Sequence, residues 1–202
     1  MSRLRYWHFG LWVLPGLAAA GAAVCSIGPQ TAYRLADDQS PTPDAVDLAR
    51  QMNQALAPGC TPNCPRIALL RNPSAGGLLL MDAGKPGQWK LVYSPAFFSE
   101  IDETYSEAAV VAMLSHAFGH TLDPAMASAW PKEFTPELRA DAWSGCALAQ
   151  NSYDPDDVKS ALAALAKYPP RSSPPWASRL GALRLGWVKC AGDGAAFDKL
   201  AK

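Results

Sequence analysis

Histidine is scarce in this sequence: the 202 residues contain three, His8, His116 and His120. Net charge is absent, because eighteen Lys and Arg are balanced by eighteen Asp and Glu. Beyond the first few residues no block of Lys or Arg occurs, whereas proteins that bind DNA or RNA carry a basic patch. The sequence therefore predicts no nucleic-acid partner.

Long apolar runs are also lacking, except near the N-terminus. Residues 1–24 place Arg3 and Arg5 before an apolar stretch that ends in small residues, which is typical of a secretory signal peptide. We expect cleavage near residues 20–23. The alternatives are a retained membrane anchor, for which the stretch is marginal in length, and a lipoprotein signal ending at Cys25. All three predict export, to a periplasmic or extracellular location, with a membrane tether in the last two.

Cys25 directly follows this segment, and the four remaining cysteines are Cys60, Cys64, Cys146 and Cys190. Export permits disulfides, and four cysteines allow three pairings. Cys60 and Cys64 lie in one tight loop, APGCTPNCPR, which favours a local bridge and leaves Cys146 to pair with Cys190. A zinc site at the first two is the alternative, but no second closely spaced pair supports it.

The pattern of apolar residues predicts one α+β domain over residues 43–202, preceded by a polar, proline-interrupted linker over residues 25–42. Residues 44–56 carry apolar side chains at helical spacing. Three short apolar runs then follow, RIALLRN, GGLLLMDA and QWKLVYS, and their Gly- and Pro-containing turns predict a small antiparallel sheet. The remaining segments predict a helical bundle on which this sheet packs.

Local signals predict where two of these helices start. Thr104 and Glu107 have capping-box spacing and predict the start of a helix that ends near Asp123. Thr135 is a good N-cap, and Pro136 suits the first position of the next helix.

The two histidines that follow the N-terminal segment fall in one motif, LSHAFGHTLD, residues 114–123. His116 and His120 are four residues apart, so both imidazoles lie on one helix face and can reach one ion. Glu137 and Asp141 are likewise four apart on the next helix. Glu137 suits a third zinc ligand, and Asp141 can accept the outer ring N–H of a ligand histidine. Alternatively, these are incidental histidines, a helix-start acid and a surface charge.

HAFGH followed by ELRADAWSG resembles the gluzincin zinc metallopeptidases, whose pattern is HExxH on one helix and ExxAD on the next. The small members, minigluzincins and prenyl-protease-like or neutral zinc peptidases, are similar over roughly residues 65–190, including the closing segment PPWASRLGALRLGW. The resemblance implies a zincin-like fold and Zn²⁺ held by His116, His120 and Glu137. It also implies that residues 88–94 form the sheet edge beside the motif helix, where a peptide or protein ligand binds in the cleft.

The sequence departs from the family at Ala117, where the family has the glutamate that acts as general base. Alanine has no proton acceptor, and general acid–base catalysis typically contributes about 10²- to 10⁴-fold in rate. Asp123 and Glu133 are the nearby acids to consider as replacements, but neither is at the position from which the family's base acts. Asp123 is also an alternative metal ligand, to which Glu137 is preferred. Tyr153 and Tyr168 are the candidates for stabilising an oxyanion.

Three interpretations stay open. The favoured one is an exported, zinc-binding, metallopeptidase-like protein that is catalytically inactive or impaired. The second is an active zinc endopeptidase that uses another base. The third is a metal-free structural or interaction domain of the cell envelope, which is disfavoured because packing alone does not demand metal-ligating side chains at four matching positions.

Overall fold

Four strands and seven helices form the part of the chain that the computed structural model describes, residues 23–29, 33–56 and 65–202. The strands are β1 (Ala23–Ile27), β2 (Arg66–Arg71), β3 (Leu78–Asp82) and β4 (Gln88–Tyr93). The helices are α1 (Pro43–Leu56), α2 (Pro95–Thr104), α3 (Glu107–Met126), α4 (Pro136–Gln150), α5 (Pro155–Lys167), α6 (Trp176–Lys189) and α7 (Gly194–Leu200). The α+β class is confirmed. Most of the predicted signal segment and the predicted Cys60–Cys64 bridge lie outside the described residues.

The sheet is mixed, with the strand order β1-β3-β4-β2, whereas the sequence predicts an antiparallel sheet. Strand β3 is antiparallel to both β1 and β4, but β2 is parallel to β4. The prediction that residues 88–94 form a sheet edge is wrong, because β4 lies between β3 and β2. The edge strands are β1 and β2.

The described residues before α1, 23–29 and 33–42, pack on the domain, so the prediction of a linker with little structure over residues 25–42 is wrong for these residues. Cys25 pairs with Leu80 in the β1–β3 ladder. Further on, Asp38 accepts a hydrogen bond from the buried ammonium group of Lys90, and Gln39 forms a β-bridge with Arg71 at the end of β2. A polar segment is thus held in place because its carboxylate pairs with a buried cation.

Helix starts follow the local sequence only in part. Thr135 caps α4 as predicted, its side chain accepting a hydrogen bond from the backbone of Leu138. The predicted capping box is wrong, because Thr104 ends α2 and α3 begins after Ser106. Helix α3 also continues past the predicted stop, with Pro124 inside its last turn.

Helix α3 forms the centre of the fold. Residues 108–122 are all buried, which is typical of a helix covered on every side. It packs against α1, α2, α4 and α5 and contacts strands β1 and β3. Gly119 permits the close approach to α4, since a Cβ there would lie 2.8 Å from Trp143 Cδ1 and 3.0 Å from Ala140 Cα. The polar side chains of α3 and α4 therefore face each other inside the domain.

A disulfide joins the second half of the bundle. Cys146 on α4 is bonded to Cys190 just after α6, with the Cα atoms 5.1 Å apart, so this predicted pair is confirmed. Within the described residues, no helix combines the length and apolar character needed to cross a bilayer.

Candidate metal centre

His116 and His120 lie one turn apart on α3 and point to the same place. Their Nε2 atoms are 3.3 Å apart, and both side chains are buried. Because α3 is buried on all sides, these imidazoles stand in the interior, where polar nitrogens require partners.

Glu137, in the first turn of α4, faces both histidines. Its Oε2 atom is 3.2 Å from His116 Nε2 and 3.5 Å from His120 Nε2. The helix start at Thr135 positions this carboxylate, since it sets which residue occupies the first turn. The structure thus brings together the three groups that the sequence predicts as metal ligands.

Asp141, one turn further along α4, lies behind His116. Its Oδ1 is 3.0 Å from His116 Nδ1, and the buried Arg179 of α6 donates two 2.9 Å hydrogen bonds to the same carboxylate. A carboxylate only accepts, so Nδ1 carries hydrogen, which leaves Nε2 as the ring nitrogen that can bind a cation when the imidazole is neutral. Arg179 also donates to the Leu165 carbonyl at 2.8 Å.

Arg179 was not predicted as part of the site. The signal that could have found it is the first of the two arginines in PPWASRLGALRLGW, the segment included in the resemblance noted from the sequence. Its proximity to Asp141 depends on the contact between α4 and α6. Gly186 permits that contact, since a Cβ there would lie 1.8 Å from the Ala142 carbonyl oxygen.

Cys25 of strand β1 joins the same cluster. Its Sγ atom and one ring nitrogen each of His116 and His120 all lie within 4.8 Å of one another, and all three residues are buried. This group can hold a metal ion. Cys25 was not predicted as part of the site, because the sequence places it at the end of the predicted signal segment. A fifth cysteine, left over from the two predicted pairs, is the signal that could have found it.

The four side chains shift each other's protonation. Burial raises the pKa of the Cys25 thiol, but the hydrogen bonds with His116 and His120 outweigh it and lower the pKa overall. Burial likewise raises the pKa of Glu137, and the bonds with both imidazoles reverse this, leaving a pKa well below its usual range. Burial lowers the pKa of His116, but the bonds with Asp141, Cys25 and Glu137 raise it well above its ordinary value. Thiolate and carboxylate are the forms that bind cations.

The donor set also indicates the kind of cation. Imidazole nitrogen and thiolate sulfur suit Zn²⁺ and other first-row transition metals, whereas Mg²⁺ and Ca²⁺ prefer oxygen ligands. A single carboxylate, from Glu137, contributes the oxygen. The cluster therefore fits a transition metal.

The described structure shows no hydrogen bond between these ligands and either acid considered as a replacement base, Asp123 or Glu133. Ala117 follows His116 on α3, is fully buried, and offers only a methyl group. Both carboxylate oxygens of Asp123 accept hydrogen bonds from Arg139 at 2.5 Å, so this acid is held by another partner. Glu133 is exposed in the turn before α4.

The two tyrosines named as oxyanion candidates have partners elsewhere. The hydroxyl of Tyr153 donates to Gln51 Oε1 at 3.2 Å, and that of Tyr168 donates to Glu100 Oε1 at 3.0 Å. The described structure shows no hydrogen bond between either hydroxyl and the metal-binding cluster.

No protein-family model, curated protein or solved structure matches this chain. The function proposed below therefore rests on the residues of the site.

Proposed function

We propose that this chain is an exported, zinc-binding protein of the gluzincin metallopeptidase type that does not hydrolyse peptides. The observation that carries the proposal is the convergence of His116, His120 and Glu137 from two successive helices, with Asp141 behind the first histidine. The disulfide between Cys146 and Cys190 supports export, because such bonds persist in oxidising compartments.

The spacing of the donor atoms supports zinc. Zinc binds histidine nitrogen at about 2.0–2.1 Å with tetrahedral angles, which places neighbouring ligand atoms about 3.3 Å apart. The two Nε2 atoms are 3.3 Å apart, and the Glu137 oxygen is 3.2 and 3.5 Å from them. The donors are thus already at the separation that a shared zinc ion requires.

The proposal that the chain does not hydrolyse peptides rests on Ala117. A zinc-bound water attacks a peptide efficiently only when a base accepts its proton, and position 117 supplies none. The nearest acid on α3, Asp123, is paired with Arg139. A side chain that is paired in this way does not replace the missing base.

Metal analysis of the purified exported chain tests the proposal. We expect about one zinc per chain after exposure to zinc and dialysis, as for a structural tetrahedral site, and loss of that zinc in His120→Ala. Asp123→Asn is the matched control, because it removes a carboxylate from the same helix outside the cluster, and it should retain zinc. A wild-type chain that holds no zinc would favour the metal-free structural interpretation.

The absence of catalysis is tested with the zinc-loaded wild type and an unfolded polypeptide substrate. We expect no hydrolysis above the rate measured with the chelated protein. Hydrolysis that zinc supports and a chelator abolishes would instead establish an active peptidase with another base.

A further inference from the structure

Strand β1 lies between strand β3 and the connection from α5 to α6. On one side it pairs with β3, with Cys25 opposite Leu80 and Ile27 opposite Leu78. On the other side, the Ser26 carbonyl accepts a 3.3 Å hydrogen bond from the backbone N–H of Arg171, in the connection between α5 and α6. The N-terminal strand therefore closes the sheet on the side of the metal-binding cluster.

The alternation of side chains along β1 points Cys25 inward. Cys25 and Ile27 are buried, with 5% and 1% of their surface exposed, whereas Val24 is 44% exposed. Residues two apart in a strand share a face, so Ile27 anchors the strand in the core and presents Cys25 on the same side. That side carries His116 and His120.

We propose that Cys25 is the fourth ligand of the metal ion, and that β1 thereby closes the centre. This inference rests on the zinc-binding function proposed above and specifies its coordination. The ion is held by one sulfur, two nitrogens and one carboxylate oxygen, from Cys25, His116, His120 and Glu137. When the metal binds, any protons held on the Cys25 sulfur and on the Nε2 atoms of His116 and His120 leave to the solvent, and no oxidation or reduction accompanies the exchange.

Four protein ligands change what the centre can do. A zinc site that hydrolyses peptides keeps one position for water or substrate, whereas a structural site is closed by four protein ligands. Strand β1 also covers the edge of β3, to which an extended peptide would otherwise add as a strand. The chain's own N-terminal strand thus fills both the open metal position and the cleft.

This coordination bears on the processing of the N-terminus. A thiol that binds the metal cannot also carry a lipid, so the interpretation as a lipoprotein signal ending at Cys25 is incompatible with it. Cleavage of a signal peptide must fall before residue 25, as it does for the expected positions 20–23.

Cobalt substitution tests the proposal, because a thiolate bound to Co²⁺ gives a charge-transfer absorption in the near ultraviolet that nitrogen and oxygen ligands do not give. We expect this band in the Co²⁺-loaded wild type and its loss in Cys25→Ser. The matched control is Cys60→Ser/Cys64→Ser, which removes the other two candidate thiols and should keep the band. Zinc affinity should fall by more than about 100-fold in Cys25→Ser, since losing a ligand exceeds the effect of losing its outer partner.

The outcomes separate this inference from the proposed function. A wild type that binds Co²⁺ without the thiolate band would overturn the role of Cys25 and leave zinc binding intact. A band that survives in Cys25→Ser would do the same. A wild type that binds neither Co²⁺ nor Zn²⁺ would refute both.

Thiol alkylation provides a measurement that needs no variant. Iodoacetamide should modify Cys25 much more slowly in the zinc-loaded chain than after chelation, as followed by mass spectrometry of the peptide that contains it. Equal rates in the two states would overturn the proposal.

Discussion

Asp141→Asn tests most directly whether the Asp141 carboxylate stabilises the domain and orients His116. The Asp141 carboxylate lies between His116 and Arg179, with no exposed side-chain surface, and the Arg179 side chain is 2% exposed. Asparagine keeps the shape and removes the charge, so the guanidinium loses its buried counter-charge. Breaking a buried pair in this way costs about 3–5 kcal/mol. For a domain of this size, that corresponds to a fall in Tm of about 6–20 °C.

The same substitution should weaken metal binding. His116 Nδ1 loses a carboxylate acceptor, so its ring is less firmly oriented towards the centre. Loss of such an outer partner typically lowers metal affinity about 10- to 100-fold. Zinc affinity is measured by competition with a chromophoric chelator, and Tm by circular dichroism on the chelated and zinc-loaded chains.

Asp123→Asn is the matched control. Asp123 is paired with Arg139 across the same two helices, but both side chains are partly exposed, at 17% and 15%. Pairs near the surface contribute about 0–1 kcal/mol, so Tm should fall by less than about 4 °C. Zinc affinity should not change. Equal zinc affinities in Asp141→Asn and Asp123→Asn would refute the role of Asp141 in orienting His116, whatever the change in Tm.

Two further predictions concern the packing of α4 against the end of the bundle. Replacing Cys146 and Cys190 with serine removes a cross-link between residues with a sequence separation of 44. Because the unfolded chain gains entropy, the free energy of unfolding should fall by about 4 kcal/mol. Urea unfolding measures this fall, and an unchanged midpoint would contradict the prediction. Gly186→Ala should lower the free energy of unfolding by at least about 1–3 kcal/mol, because the new Cβ would clash with the Ala142 backbone. The control is Gly181→Ala, whose new Cβ has no neighbouring atom within 4 Å, so the free energy of unfolding should rise by up to about 1 kcal/mol. Equal unfolding midpoints for the two variants would refute the packing argument.

Much of the fold and part of the site were predictable because they depend on neighbours in the chain. Helical spacing predicts α1 and α4, and Thr135 with Pro136 predicts where α4 starts. The same spacing places His116 with His120 on one face, and Glu137 with Asp141 on another. The resemblance to the gluzincins then predicts that the two faces meet. Local hydrogen bonding and a period of 3.6 residues suffice for the helices and for the two faces, whereas the meeting of the faces is predicted from the resemblance alone.

The strand order could not be predicted in the same way. A short apolar run bounded by turn residues predicts β4 as a strand, but it does not specify which strands pair with it, and the prediction of an edge strand was wrong. Pairing is determined by contacts that are distant in sequence, such as Asn72, whose buried side chain donates to the Arg34 carbonyl and to Asp38. These contacts hold the loop between β2 and β3.

Cys25 and Arg179 show the same limit within the site. Each of them lies more than sixty residues from His116 along the chain. The sequence alone predicts Cys25 to be the end of a signal segment, and it gives no reason to single out Arg179 among the residues of its helix. Their place beside the histidines follows from strand pairing to β3 and from the close contact of α4 with α6 at Gly186. Long-range packing therefore decides that this cluster is enclosed, because burial and ion pairing depend on which distant segments meet.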